Sequence, residues 1–412
     1  MNAWRPSTWG DEISLEYGKG LRGYESACGP VRVFGSNGPV GWTDKALAKG
    51  PGVILGRKGA YRGVQYSEDD FFVIDTAYYV VPKTELDMRW LYYAIQYHKL
   101  GEIDDGSPIP STTRAAVYVR ELNVPPEDVQ KEIARILGSI DDKIDLNRRI
   151  NQTLEAIAQA IFKSWFVDFN PTKAKISAKK EGRDPLRAAM SAISGQSDAE
   201  LDAVPPEQFA QLAATAALFP EEMEESDLGE IPKGWIISKV EMLLARLPAK
   251  TRYTKNQVAE FGQTPVFEQG ASILLGYHDG TATYRASATE PMFIFGDHTC
   301  VTRLSCQPFD ISQNVIPLQG RDRPTAWVYY AVKEKQKFQE YRRHWMELIS
   351  KDVVIADVDT CLEFSKNVSN LHLQMEAIER QMQVLRELRN TLLPKLLSGE
   401  LSVAEALAEA EA

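Results

Sequence analysis

Cysteine is scarce in these 412 residues: four, at irregular positions (Cys28, Cys300, Cys306, Cys361). That usage excludes a disulfide framework and suits a reducing cytoplasm. Long hydrophobic runs are missing too. No uninterrupted apolar run reaches the ~18 residues a membrane span needs. The opening MNAWRPSTWG lacks the apolar core of a signal peptide, so a cytoplasmic protein is expected. There is neither a Gly-rich lysine loop for nucleotide phosphates nor a G-x-G-x-x-G fingerprint, and the acids form no recognisable nuclease cluster. His298, Cys300 and Cys306, with no further pair, fall short of a zinc site. Asn123-Val124-Pro125-Pro126 superficially matches the Asn/Asp-Pro-Pro-aromatic motif of amino-methyltransferases, but Glu127 stands where the aromatic should stack. No catalytic residue, metal or cofactor is assigned to the chain.

What is present begins with a globular composition, 44% apolar and 25% charged, in a chain long enough for two or three domains. The net charge of −10 is unevenly spread. Residues 198–230 hold ten acids and no Lys or Arg, and residues 399–412 add four acids and no base. The remainder is therefore positive by four, and patches rather than totals decide nucleic-acid binding.

The chain is organised around 125–169. Pro125 and Pro126 open it rigidly, and Glu127 and Asp128 put negative charge on the first helical turn. Ile133, Leu137, Ile140, Ile144, Leu154, Ile157, Ile161 and Trp165 then recur at gaps of three and four, with Asn147 and Asn151 at seam positions. About 40 helical residues rise roughly 60 Å, the length of a strut. A second seam, Leu371, Met375, Ile378, Met382, Leu385, Leu388, Leu392 and Leu396, predicts a matching helix over 369–399.

Residues 1–124 form one globule. Short β-rich runs (31–34, 52–55, 71–81) alternate with the Gly-rich turns GKGLRG (18–23), GSNGPVG (35–41) and GRKGAYRG (56–63). Between Lys45 and Gly63 stand five bases and no acid. Together these loops predict a surface for phosphates and base edges. Phosphate or guanine contacts are expected from Arg57, Lys58 and Arg62, and base-edge contacts from Asn37, Thr112 and Arg114. Lys19, Arg22, Ser36, Tyr61 and Thr113 join them. MRWLYYAIQYHK (88–99) has helical spacing, and Ala115–Val119 reads as a strand.

Residues 170–228 read as an acidic linker without a core, although 206–218 has helical potential. The first half then begins again over 229–368. TPVFEQGASILLGY (264–277) echoes PVRVFGSNGPVGW (30–42), and PMFIFGDHT (291–299) echoes PGVILGRKG (51–59). PFDISQNVIP (308–317) echoes FFVIDTAYYVVP (71–82), and AWVYYAV (326–332) echoes RWLYYAI (89–95). The order is kept at an offset of 233 to 240, so the chain is a tandem duplication of globule plus long helix, ending in an acidic tail at 400–412. By position, Lys250, Arg252, Gln269, His298 and Arg303 are the second copy's counterparts of the first copy's contact residues.

The order VFGSNGPVG, ILGRKGAYRG, FFVIDTAYYVVP, PPEDVQKEIARIL and AIFKSWFVDF resembles the specificity subunit of Type I restriction–modification enzymes. The resemblance covers both copies and both helices. It implies an α+β fold in which two similar target-recognition domains, each reading one half of a split DNA sequence, are separated by an antiparallel pair of long coiled-coil helices with an internal pseudo-twofold repeat. It also implies two methylase subunits as partners, restriction subunits docking through them, and S-adenosylmethionine, ATP and Mg held only in those partners. Trp165 and Phe166 are expected to offer partners an apolar surface, and the helices to set a fixed unread spacer. The second copy departs from the pattern, since it lacks the basic loop and the Pro-Pro before its helix. A coiled-coil scaffold that binds protein without DNA specificity is the alternative reading.

Overall fold

The computed structural model describes residues 4–104, 106, 110–249, 251–270 and 272–403; Lys250 lies outside them. The chain divides into two compact units, Met1–Asp145 with Val384–Ala412, and Leu146–Gln383.

In the first unit, β1 (Arg5–Thr8), the turn α1 (Trp9–Glu12) and β2 (Ile13–Tyr17) are followed by β3 (Val31–Gly35), β4 (Gly38–Thr43), β5 (Gly52–Gly56), β6 (Val64–Ser67), β7 (Phe71–Val73) and β8 (Ala77–Pro82). Helices α2 (Met88–Tyr97) and α3 (Arg114–Tyr118) and strand β9 (Glu121–Val124) complete the globule. The strands form an antiparallel sheet in the order β2-β8-β5-β6 and a second sheet β4-β3-β7, in which β3 and β7 run parallel; β1 pairs with β9. Strand β5 is buried along its whole length, as its unbroken apolar run requires. Asp87 starts α2 by accepting from the Arg89 and Trp90 amides, and Trp90, Leu91, Tyr93, Ala94 and Ile95 are buried. Residues 114–118 are helical, not a strand: Thr113 accepts from the Ala116 amide and caps them.

Helix α4 (Glu127–Phe166) is continuous over the predicted strut. After it come α5 (Asn170–Lys180), α6 (Pro185–Ser194), α7 (Asp198–Leu201) and α8 (Pro206–Ala217), then the hairpin β10 (Met223–Glu224) and β11 (Ile231–Pro232). The expected coreless linker is thus a small folded bundle, in which Ala189, Met190, Leu201 and Ala216 are buried together. Several of its acids serve at helix ends. Asp184 caps α6, Glu200 closes a capping box with Ser197, and Arg187 bridges Asp198 and Asp202.

The second globule repeats the first. Its elements are β12 (Ile236–Lys239), α9 (Val240–Leu243), β13 (Leu244–Arg246), β14 (Thr264–Phe267), β15 (Leu274–His278), β16 (Met292–Gly296), β17 (Thr302–Ser305), β18 (Asp310–Ile311) and β19 (Val315–Gly320), then α10 (Thr325–Val332), α11 (Trp345–Ile349) and β20 (Asp352–Ile355). The sheet orders are β13-β19-β16-β17 and β15-β14-β18, again with one parallel pair, β14 and β18, and β12 pairs with β20. Strand for strand this is the first globule's topology.

Helix α12 (Val358–Ser398) begins well before the predicted 369. Within the second unit Asn147 Nδ2 donates to Gln381 Oε1 (2.9 Å) and Asn151 Nδ2 to the Met375 carbonyl (3.1 Å). The partner's number falls as α4's rises, so the helices are antiparallel there. The seam is not followed everywhere, since Ile157 and Leu388 are exposed. In place of Ile157, Ala158 is fully buried, beside a core containing Trp165 and Phe166.

Candidate nucleic-acid interface

Strands β2, β3, β5 and β7 of the first unit release their chains at one end of the two sheets, and backbone hydrogen bonds knit the resulting loops together. Gly63 N donates to Ser36 O (2.8 Å), Arg57 N to Thr76 O (3.0 Å), Gly59 N to Pro110 O (3.0 Å), Thr112 N to Arg57 O (2.9 Å) and Lys19 N to Val73 O (2.9 Å). Gly56 is required at the crossing, because a Cβ there would stand 2.2 Å from the Ser36 carbonyl oxygen. The predicted loops therefore do converge, as one cluster over 17–19, 36–37, 56–63, 74–76 and 110–114.

Within it the side chains divide into braces and presented groups. Ser36 is a brace: its hydroxyl lies 2.6 Å from Lys58 O and 2.7 Å from Thr76 O. Arg62 is another, and this corrects its expected role. Its Nε donates to Gly101 O (2.9 Å) and Thr112 Oγ1 (3.1 Å), Nη1 to Gly59 O (2.6 Å) and Nη2 to Ile103 O (3.0 Å). A guanidinium spent on three carbonyls holds loops rather than a phosphate. Thr112, expected at base edges, is fully buried, and Thr113 is used as the cap of α3.

Lys19, Arg22, Asn37, Lys58 and Tyr61 are exposed. Arg57 and Arg114 both lie against the ring of Tyr17, with Cζ 4.8 and 4.2 Å from its centroid. Arg57 Nη1 also donates to Asp75 O (3.0 Å), and Arg114 pairs with Glu16 at 3.5 Å. Tyr17 was missed at the sequence level; the available signal was an aromatic ending a strand directly before GKGLRG. The arrangement offers cations, an amide and aromatic rings on one surface, the groups that take phosphate oxygens and base edges.

In the second unit the positional counterparts scatter. Gln269 and His298 do meet: Gln269 Oε1 accepts from the His298 amide (3.0 Å), and the His298 ring lies 4.8 Å from that of Tyr341. Arg252 Nη1 donates to Ser312 O (3.1 Å) and Val315 O (3.2 Å). Arg303 is turned away from any such surface, pairing with Glu379 of α12 and lying over Phe267 at 4.7 Å. Burial opposes its charge, but Glu379 outweighs that and raises the guanidinium pKa. Its expected DNA contact is replaced by an internal ion pair.

Trp165 and Phe166, expected to face partners, are only 3% and 4% exposed. Trp165 meets Phe219 edge-on at 5.2 Å, and Phe166 stacks on Trp235 at 5.7 Å. Apolar surface on α4 lies instead at Leu146, Ile150 and Ile157, which are 44%, 37% and 43% exposed. Their spacing of four and seven residues puts them on one face. Among the described residues no His, Cys, Asp or Glu group of three or more could hold a metal ion, and no helix is long and apolar enough to cross a membrane.

Known proteins share this pattern. A family model described as the Type I restriction modification DNA specificity domain matches residues 28–156, from the strand before the Ser36 turn into α4. The HindI specificity subunit of Haemophilus influenzae is 27% identical over 407 residues, covering 88% of each chain. The MjaIX specificity subunit of Methanocaldococcus jannaschii is 22% identical over 442 residues, covering 96% of this chain and 88% of that one. The crystal structure of a Type I restriction–modification S subunit from M. genitalium aligns over 96% of both chains with a TM-score of 0.53 at 14% identity, a likeness of fold. With most of the loop cluster inside the matched residues and relatives spanning nearly the whole chain, the protein is similar along its length to Type I restriction–modification specificity subunits.

Proposed function

We propose that this chain is the non-catalytic DNA-recognition subunit of a Type I restriction–modification complex, in which each duplicated globule reads one block of a two-part target. One observation carries the division of labour. The two globules share strand order and the hydrogen bonds that start their loops, yet matched positions differ in chemistry. Arg57 N donates to Thr76 O in one, and Asp297 N to Asn314 O (2.9 Å) in the other. A common scaffold with different loop side chains is what reading two different blocks requires.

In the first unit, Lys19, Arg22, Asn37, Arg57, Lys58, Tyr61 and Arg114 are the side chains offered to DNA, with Ser36, Arg62, Thr112 and Thr113 shaping the loops beneath them. Two methylase subunits are the proposed partners of the helix pair, through the exposed apolar face of Leu146, Ile150 and Ile157. Restriction subunits would join through the methylases. S-adenosylmethionine, ATP and magnesium would belong to those partners, in the cytoplasm.

The test is a methylome of cells carrying the assembled system, which prints the target directly. Two short methylated blocks with an unread spacer are expected, and exchanging residues 1–120 for those of a relative should change one block and keep the other. An unbroken motif, or loss of both blocks on exchange, would refute the reading.

A further inference from the structure

The second globule has lost the first one's basic loop without losing its charge. Gly296 N donates to Val301 O (2.8 Å) as Gly56 N does to Gly63 O (2.8 Å), so the two loops begin alike. The residues that follow are Asp297 and His298 where the first copy has Arg57 and Lys58. The next base along, Arg303, is held by Glu379.

Positive charge enters this end of the globule from other segments. A cleft of about 380 Å³ is lined by Arg246, Arg252, Arg343, Asn314 and Trp345, with Asp297 at its wall. Arg246 lies over the Trp345 ring, its Cζ 5.8 Å from the centroid. Arg252 is braced by the Ser312 and Val315 carbonyls. Arg343 is 80% exposed, and the acid it approaches is Asp297 at 3.8 Å. That carboxylate is already occupied: Oδ1 accepts from the His344 (3.1 Å) and Trp345 (2.9 Å) amides, which pins the segment carrying Arg343 to the loop. Three guanidinium groups against one hydrogen-bonded carboxylate leave the cleft cationic.

We propose that this cleft binds a backbone phosphate of the DNA block read by the second globule, with Arg246 and Arg343 as the contacting cations and Arg252 positioning the wall. The site corresponds in the fold to the Tyr17–Arg57–Arg114 cluster of the first globule, with an aromatic ring again flanked by arginine. Guanidinium groups match phosphate oxygens in geometry and charge. The cleft is open, which suits a phosphate carried on a chain. The inference rests on the DNA-reading function proposed above.

The experiment uses the complex assembled with its methylase subunits, titrated by fluorescence anisotropy against a duplex bearing the mapped target over a range of salt concentrations. Arg246→Ala with Arg343→Ala should weaken binding by roughly ten- to a hundredfold and flatten the log–log salt slope by about 0.9 per lost contact, with the thermal melt unchanged. Arg343→Lys alone should keep most of the slope. Double-variant affinity and slope equal to wild type, while Arg57→Ala with Lys58→Ala weakens binding, would overturn the cleft and spare the general reading. Wild-type complex that does not distinguish target from random duplex would overturn both. Inorganic phosphate that binds the complex through Arg246 and Arg343 without displacing the duplex would identify a free-phosphate site and overturn the DNA contact.

Discussion

The Tyr93 hydroxyl donates to Asp141 Oδ2 across 2.7 Å, tying the first globule's α2 to the long helix α4. Asp141 also takes Arg389 Nη1 of α12 at 2.8 Å, and Arg89 reaches Asp142 and the Gly138 carbonyl (3.3 Å). Gly138, a weak point by helix propensity, has a purpose here, since a Cβ would stand 2.7 Å from Arg89 Nε. The second unit repeats the device with other chemistry. Tyr330, the second tyrosine of its own Tyr-Tyr pair, lies 2.9 Å from His372 Nε2 and 3.3 Å from Glu155 Oε2. Each globule is thus latched to the helices by a half-buried or buried polar network, where removing one member leaves the others without partners.

Tyr93→Phe tests the first latch. A hydrogen bond to a charged acceptor is worth about 1.5–3 kcal/mol, and the substitution preserves the ring. Urea melts should show a loss in that range with an unchanged slope. In combination with Asp141→Asn the losses should be less than additive. Additive losses would mean that the two groups do not act together.

The second latch predicts a pH dependence. Burial holds the His372 imidazole neutral and lowers its pKa from 6.5 to about 4. Below pH 6.5 the unfolded chain takes up a proton that the folded chain refuses. The stability present above that pH therefore falls on acidification and levels off below about 4. Between pH 6.5 and 5 the loss attributable to this group is about 2 kcal/mol. His372→Gln should flatten that part of the stability profile measured by urea titration. A variant with the same slope as wild type would assign the dependence to other groups.

The parts of this architecture written as periodicity were legible in the sequence. The strut expected over 125–169 is a helix over Glu127–Phe166, and the echoed segments fold into matching strands because apolar runs and framework glycines persist in both copies. What escaped was written in weaker signals. The bundle after α4 buries mainly small side chains such as Ala189 and Ala216, which give little contrast with its acidic surface. Residues 114–118 look β-like by composition, but a single capping threonine turns them into a helix. The roles of Arg62, Arg303, Trp165 and Phe166 depend on partners tens of residues away, to which residue type is blind. An arginine in a Gly-rich loop reads the same whether it faces carbonyls or solvent.

That distinction can be measured. Arg57→Ala with Lys58→Ala should weaken DNA binding by the complex and lower its log–log salt slope by about 0.9 per lost phosphate contact, with little change in melting temperature. Arg62→Ala should lower the melting temperature, because several carbonyls and the Thr112 hydroxyl lose their donor. Arg62→Lys should not rescue it, since one ammonium cannot reproduce the planar fork. An Arg62→Ala variant of native stability and reduced salt slope would return this residue to the contact surface.

The bundle over 170–228 should not behave as a passive tether. Lys175 Nζ donates to the Phe219 carbonyl (2.6 Å), Phe219 packs on Trp165, and Thr215 Oγ1 approaches Glu363 Oε1 (3.2 Å). Replacing residues 175–220 with a short Gly-Ser segment should uncover apolar surface beside Trp165. It should destabilise the second unit by several kcal/mol at ~25 cal/mol per Å², seen as earlier proteolysis of that unit. Unchanged resistance would restore the simple-linker reading.

The exposed face of α4 makes the last prediction. Leu146, Ile150 and Ile157 form an exposed face beside the buried one that holds Asn147, Ala158 and Trp165. Exposed apolar residues repeating along one helical face are unusual for a surface with no partner. Leu146→Ser with Ile157→Ser removes apolar area without touching the Asn147–Gln381 and Asn151–Met375 hydrogen bonds that register α4 against α12. The helix pair should therefore persist, with unchanged far-ultraviolet circular dichroism and melting temperature, while assembly with the methylase subunits weakens. Each buried leucine or isoleucine is worth about 1.5–3 kcal/mol, so the dissociation constant from sedimentation or calorimetry should rise by roughly two orders of magnitude or more. Trp165→Ala supplies the contrast, since it cuts into the core and should lower the melting temperature. If the serine variant assembled as tightly as wild type, the methylase surface would have to lie elsewhere on the chain.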